Sequence, residues 1–208
     1  MNTYQKEFIE FLIDANVLKF GSFIAKSGRH LPYFINAGEI KTGAQITKLG
    51  DAKTVLYGPA YKGIPLAVSA ASALSRQGLA LPFFFNRKEE KDLGEGGVFV
   101  GYKPKAGEEV VIIEDVITAG TAIRESIANM ASLDGVKIKA VIIMVNRMEK
   151  GLGEVSAMKE IEQNHGFPVY SIVTVYDIIE YLETNPGIAT PENIENIKKY
   201  LAEYGAKD

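Results

Sequence analysis

Two adjacent carboxylates, Glu114 and Asp115, stand between an apolar run, Val110 to Ile113, and a stretch of small residues, Thr118-Ala119-Gly120-Thr121-Ala122. Four branched apolar residues in a row suit a strand buried on both faces. Charges about 5 Å apart repel by roughly 1 kcal/mol even in bulk water, and more where water is excluded. A strand that had only to fold would rarely end on that repulsion. Read as chemistry, the pair suits sugar hydroxyls or a metal ion. The small residues that follow let backbone N–H groups converge at the start of a helical stretch, Ile123–Leu133. A helix N-terminus with open N–H groups binds phosphate. Acids followed by a phosphate cradle imply a sugar-phosphate ligand at the carboxyl end of a strand. The bland alternative is a strand, a solvated acidic turn and a helix.

Three further segments carry charge in places where charge can act. Gly58-Pro-Ala-Tyr-Lys-Gly63 begins with the glycine spacing of a Walker A loop, but Ile64-Pro65 stands where Lys-Ser/Thr is required, so a nucleoside-triphosphate loop is rejected. What remains is a tight loop that presents Lys62 to an anion. The stretch from Asn86 to Gly97 interleaves Arg87, Lys88 and Lys91 with acids and ends in three glycines within four residues. Phe99 stands where a dinucleotide fingerprint needs its third glycine, so a mobile charged loop is expected, able to close as a lid over a polyanion. Lys26 to Asn36 mixes cations with aromatics, and Arg147 follows the apolar run ending at Val145 and Asn146.

These residues need a frame. The periodicity predicts a helix over Tyr4–Ala15, extended pieces at Gly21–Lys26 and Pro32–Asn36, a strand at Thr54–Tyr57 and a helix at Ile64–Arg76 closed by Gly78. Strands follow at Leu81–Asn86, Val110–Ile113, Lys139–Val145 and Val169–Val175. Helices are expected at Glu154–Asn164, Ile178–Glu183 and from Thr190-Pro191 to near Gly205. Alternating strands and helices predict an α/β fold with a mostly parallel sheet and helices on both faces. Ligands of such sheets sit at the carboxyl ends of the strands, and the motifs above follow strand ends.

Composition narrows the partners. A net charge of −3 argues against a nucleic-acid or acidic-membrane coat. The lack of cysteine excludes disulfides and thiolate chemistry and fits a reducing cytoplasm. Two histidines are too few for a histidine-rich metal site. The apolar stretch from Ile64 to Phe85 is broken by serines and Arg76-Gln77-Gly78, so no membrane span is expected, and the amino terminus is unlike a signal peptide.

Val110–Ala122 resembles the phosphoribosyl-diphosphate motif of the type I phosphoribosyltransferases, and GPAYKGIPLA is similar to the orotate-specific branch of that family. The resemblance implies that Lys26, Tyr61, Lys62, Arg87, Lys88, Lys91, Glu114, Asp115 and the segment Val116, Ile117, Thr118, Ala119, Gly120, Thr121 and Ala122 bind phosphoribosyl diphosphate. The 5′-phosphate would lie on the cradle amides and the ribose hydroxyls on the two acids. The segment after Asn86 looks like the family's catalytic loop, which reaches into the neighbouring subunit. It makes Lys91 a catalytic residue with Glu114 and Asp115. KSGR…PYFIN resembles the family's hood, where Phe34 and Ile35, together with Thr118 and Arg147, border orotate. Three departures stand out. Leu93 replaces a usual histidine, Asn146 replaces a usual aspartate, and the helix before Thr54 looks shortened by about three turns.

The resemblance implies a single domain over residues 1–208, with 1–40 forming a small N-terminal hood on a mostly parallel twisted sheet. It implies transfer of a phosphoribosyl group to orotate, yielding orotidine 5′-phosphate and pyrophosphate. It also implies Mg²⁺ held mainly by substrate oxygens and water, and a cytoplasmic homodimer. A phosphoribosyltransferase for another base and a non-catalytic phosphoribosyl-diphosphate sensor are the alternatives.

Overall fold

The computed structural model describes residues 1–25, 28–36, 53–91, 97–117, 120–151 and 153–206, with the side chains of residues 90 and 91 outside that set. The chain opens with helix α1 (Thr3–Asp14), whose Phe8, Ile9 and Leu12 recur on one face and are buried. Strands β1 (Leu18–Ile24) and β2 (His30–Ile35) then form a separate antiparallel pair, the hood. Along β2 the burial alternates, with Leu31, Tyr33 and Ile35 turned into the core and Phe34 on the opposite face against Phe23.

The main body is built from β3 (Thr54–Gly58), α2 (Gly63–Arg76), β4 (Phe83–Lys91), β5 (Gly97–Gly101), β6 (Glu109–Ile117), α3 (Thr121–Met130), β7 (Lys137–Asn146), α4 (Ala157–His165), β8 (Val169–Thr174), α5 (Val175–Thr184) and α6 (Pro191–Tyr204). Its six strands lie in the order β5-β4-β3-β6-β7-β8. All neighbours are parallel except β5, which runs antiparallel on β4. From β3 the chain winds outward through α2 to β4; from β6 it winds the other way through α3 to β7 and β8. The strand order therefore reverses between β3 and β6, and such a switch point opens a crevice at the carboxyl ends of the two strands.

The buried runs explain the layers. In β6, Val110 and Ile112 pack with Ile123 of α3 and Ile161 of α4, whereas Val111 and Ile113 pack with Leu66 and Leu74 of α2 and Ile178 of α5. A central strand apolar on both faces is what two helix layers require. Among the described residues no helix is long and apolar enough to cross a membrane.

The α/β class and the mostly parallel sheet agree with the sequence reading, but several bounds move. The strand expected to stop at Ile113 continues to Ile117, so both acids lie inside β6. Residues expected to begin a loop at Asn86 instead extend β4 to Lys91 and pair with β5, Asn86 opposite Phe99 and Lys91 opposite Gly97. Edge pairing supplies the backbone bonds that composition alone did not suggest. Helix α4 starts at Ala157 rather than Glu154 because the Ser156 hydroxyl accepts the Lys159 N–H at 3.1 Å. Helix α5 starts three residues early because Thr174 and Asp177 form a reciprocal cap. The shortened helix before Thr54 lies outside the described residues.

Ile143 of β7 is fully buried between β6 and β8. Its replacement by alanine is expected to lower the free energy of unfolding by about 2–5 kcal/mol in urea titration; a change within about 0.5 kcal/mol would place it outside a packed core.

Candidate active site

The crevice between β3 and β6 is where the charged residues meet. Gly58 ends β3, and the loop 59–62 leads into α2. Two glycines allow the loop to lie this close. A Cβ on Gly63 would come within 2.6 Å of Pro59 Cδ and 2.8 Å of the Ile113 carbonyl, and one on Gly58 would strike the Gly63 carbonyl. The tight return places Lys62, in helical conformation just before α2, across the crevice from β6. Its Nζ lies 3.0 Å from Asp115 Oδ2, with the lysine side chain half exposed and the aspartate nearly buried. Tyr61 stands beside it, exposed to solvent.

Glu114 and Asp115 are both buried, at 6% and 5% exposure. Consecutive strand residues point to opposite faces, so each carboxylate takes its own direction from the end of β6. Asp115 uses Oδ1 to accept the Val116 N–H at 2.8 Å, and Glu114 Oε1 accepts the Asp115 N–H at 3.1 Å. Burial, and then the Asp115 charge, push the Glu114 carboxyl up to about 8. Lys62 pulls the other way but is the smaller influence. At neutral pH Glu114 therefore favours its neutral form.

Beyond the acids, Ile117 is buried in the core and Gly120 takes the left-handed conformation, φ +73°, as the residue before α3. Among the described residues no side chain caps this helix start, where the amides of Thr121 and Ala122 lie in the first turn. Thr118 and Ala119, expected in the same cradle, lie outside the described residues, as does Lys26. Helices α2 and α3 follow neighbouring parallel strands, so both present their positive N-terminal ends to one crevice.

The remaining predicted residues are distributed around this centre. Arg87 donates from Nη1 to the Gly97 carbonyl at 3.1 Å and braces the β4–β5 hairpin. Lys88 reaches Glu125 of α3 at 3.6 Å, an exposed pair worth little in stability. The side chain of Lys91, and Leu93, lie outside the described residues. Phe34 faces away from the core, stacked on Phe23 with ring centroids 5.5 Å apart. Ile35 corrects the expectation of a shared wall, because strand alternation turns it into the core while Phe34 faces outward.

Arg147 is buried too, which its position after a strand did not suggest. It leaves β7 one residue beyond Asn146, which pairs with Ile117, so it stands level with the phosphate cradle. Its Nη2 lies 2.5 Å from Glu149 Oε1, and Arg29 Nη1 lies 3.7 Å from Oε2 of the same carboxylate. The guanidinium sits over the Tyr33 ring at 5.2 Å. Arg147 Nε and Nη2 nonetheless find no acceptor in hydrogen-bond geometry. Two guanidinium groups against one carboxylate leave this cluster with a net positive charge. Asn146, the departure from the family pattern, accepts the Met148 N–H at 2.8 Å and so supports the left-handed turn at Met148, φ +53°.

Comparison with known proteins accords with this geometry. A family model, the phosphoribosyl transferase domain, matches residues 38–172. This chain belongs to the phosphoribosyltransferase family. Its relatives point to the orotate branch. An orotate phosphoribosyltransferase of Clostridium acetobutylicum is 44% identical over 224 residues, covering all of both chains. One from Pseudomonas putida strain W619 is 48% identical over 217 residues, covering 99% of this chain and all of that one. Among solved structures, the orotate phosphoribosyltransferase of Francisella tularensis aligns with a TM-score of 0.77 at 36% identity, over 96% of this chain and all of its own. Phosphoribosyltransferase membership accounts for the mixed sheet.

Two residues important to this site escaped the sequence reading. Glu149 anchors both arginines, and Asn86 binds the loop before Lys62; Arg29 with Glu149, and Ala60 with Asn86, are far apart in sequence and show no spacing signal.

The proton on the acid pair yields a pH signature. A folded Glu114 that titrates near 8 keeps a proton that the unfolded chain has lost above about 4.5. The contribution of this group to stability is therefore complete at low pH and is lost as the pH rises through 8. Wild type is expected to lose stability relative to Glu114→Gln between about pH 5 and pH 8 in urea unfolding; parallel pH curves for the two proteins would show that Glu114 ionises normally.

Proposed function

We propose that this chain transfers the phosphoribosyl group of 5-phosphoribosyl 1-diphosphate to orotate, releasing pyrophosphate and orotidine 5′-phosphate in pyrimidine nucleotide synthesis. The observation that carries the reading is the meeting of Lys62 with the Glu114–Asp115 pair, 3.0 Å across the β3–β6 switch point. An ammonium suits the diphosphate, two carboxylates suit the ribose diol, and the α3 N-terminus suits the 5′-phosphate.

In this mechanism no side chain forms a covalent intermediate. As the bond to pyrophosphate stretches, negative charge grows on the leaving group and positive charge on the ribose ring. Lys62, with Arg87, Lys88 and Lys91 of the β4–β5 arm, stabilises the leaving group. Glu114 and Asp115 hold the ribose and face its developing positive charge. Tyr61 and Lys26 border the diphosphate, and the amides from Val116 to Ala122 line the phosphate side. The Val116 amide is already turned onto Asp115, so it acts through that carboxylate. Positioning and electrostatics supply the rate.

Mg²⁺ bound to diphosphate oxygens supplies further positive charge on the leaving group. The residues fit an ion carried by substrate and water. Among the described residues no three His, Asp or Glu groups converge, and Lys62 already lies against Asp115.

Orotate differs from uracil by a carboxylate, and the positively charged Arg147–Arg29–Glu149 cluster favours such an anionic base over a neutral one. Phe34, half-buried on the outer face of β2, and Thr118 complete the base side. The resemblance of residues 86–97 to a loop shared between subunits supports a homodimer, and the β4–β5 hairpin forms one edge of the sheet, where a second copy can be reached. A cytoplasmic location fits the cysteine-free composition.

The direct test is purified protein with Mg²⁺ and 5-phosphoribosyl 1-diphosphate, with orotate absorbance followed over time. Loss of orotate is expected; no loss, together with turnover of another base, would reassign the acceptor. In the same assay Lys91→Ala is expected to lower kcat by about 100-fold or more while substrate binding changes far less. A wild-type rate in that variant would remove Lys91 from the reaction.

A further inference from the structure

We propose that Asn86 is a positioning residue for phosphoribosyl-diphosphate binding, fixing the main chain of loop 59–62 so that Lys62 is held over Asp115. The proposal rests on the phosphoribosyl reading of the site above.

Asn86 is the point where β4 reaches the crevice, and it is buried although polar, at 8% exposure. Its Oδ1 accepts two hydrogen bonds, from the Ala60 N–H at 2.8 Å and from the Tyr57 hydroxyl at 2.9 Å. Its Nδ2 donates to the Arg87 carbonyl at 3.1 Å. A backbone N–H can only donate, so the bond to Ala60 settles which way the carboxamide faces. One side chain thus joins the end of β3, the loop that carries Tyr61 and Lys62, and the first residue of the basic arm.

The loop needs such a tether. Its own closure is the Gly63 N–H on the Pro59 carbonyl at 3.0 Å, a bond that does not involve the Ala60 N–H. An amide buried without an acceptor is costly, so without Asn86 the loop would rotate to find another. Lys62 follows Ala60 by two residues, and a shift of about 1 Å at a positioning group is enough to matter for catalysis. Tyr57, wholly buried, is a second and independent donor to the same oxygen. Burial holds its phenol protonated, pushed up to about 12, so it serves as a donor, and Ser126 and Asn129 of α3 lie beside the same hydroxyl.

Calorimetric titration of 5-phosphoribosyl 1-diphosphate with Mg²⁺, paired with thermal unfolding, tests this. Asn86→Ala is expected to weaken binding about tenfold. Tyr57→Phe removes the other donor from the same oxygen and leaves the Ala60 bond. It is expected to lower Tm while binding stays within about twofold of wild type. If Asn86→Ala does not fold, Asn86→Ser takes its place with the same expectation, since its hydroxyl ends one bond short of Oδ1. A purely structural Asn86 predicts something else: both variants lose Tm alike and both bind as wild type does, which would overturn the inference alone. No binding by the wild-type protein would overturn the phosphoribosyl reading, and the inference with it.

Discussion

The structure is organised around one unfavourable arrangement: two adjacent carboxylates buried at the end of the central strand. Their repulsion and desolvation oppose folding, and the chain answers with a proton on Glu114, a lysine on Asp115 and backbone amides on both. Each answer is partial. The lysine comes from the loop after a different strand and is half exposed, so it can turn toward a ligand. The proton can leave. A site that is satisfied only in part by its own groups is one that a hydroxyl-rich, phosphorylated ligand can complete.

The rest of the fold serves to hold these groups in register. Strands β3 and β6 must be neighbours and parallel, because only then do the turns after them face each other. The glycines at 58 and 63 let loop 59–62 pack against the Ile113 carbonyl, and Asn86 holds that loop from the next strand. On the far side, the hood closes over the cluster of Arg147, Glu149 and Arg29 through Tyr33, while Tyr33 meets Tyr200 of α6 edge-on at 6.5 Å. Arg29 in turn stacks on Tyr204 at 5.0 Å. Hood, sheet end and last helix are thereby joined by buried charge and aromatic rings.

The central strand and the acid pair were legible because each is local: an apolar run and two like charges occupy six consecutive positions. The helices were legible from their periodicity, although Ser156 and Thr174 set starts that periodicity alone missed. Pairwise relations across strands were not. The charged stretch after Asn86 reads as a loop because lysine and glutamate are poor strand formers, yet β4 runs on to Lys91, which pairs with Gly97. Arg147 reads as a solvated strand end, yet Glu149 and Tyr33 bury it. Ile35 reads as the neighbour of Phe34, but a period of two residues places them on opposite faces.

The central claim is that the carboxylate at 115 binds a phosphorylated ribose together with Lys62. Calorimetry of 5-phosphoribosyl 1-diphosphate binding to wild type, Asp115→Asn, Lys62→Ala and the double variant measures it directly. The account predicts that either single change weakens binding and that the double change costs less than the sum of the two, because the groups act through one another. Wild-type affinity in Asp115→Asn would contradict it.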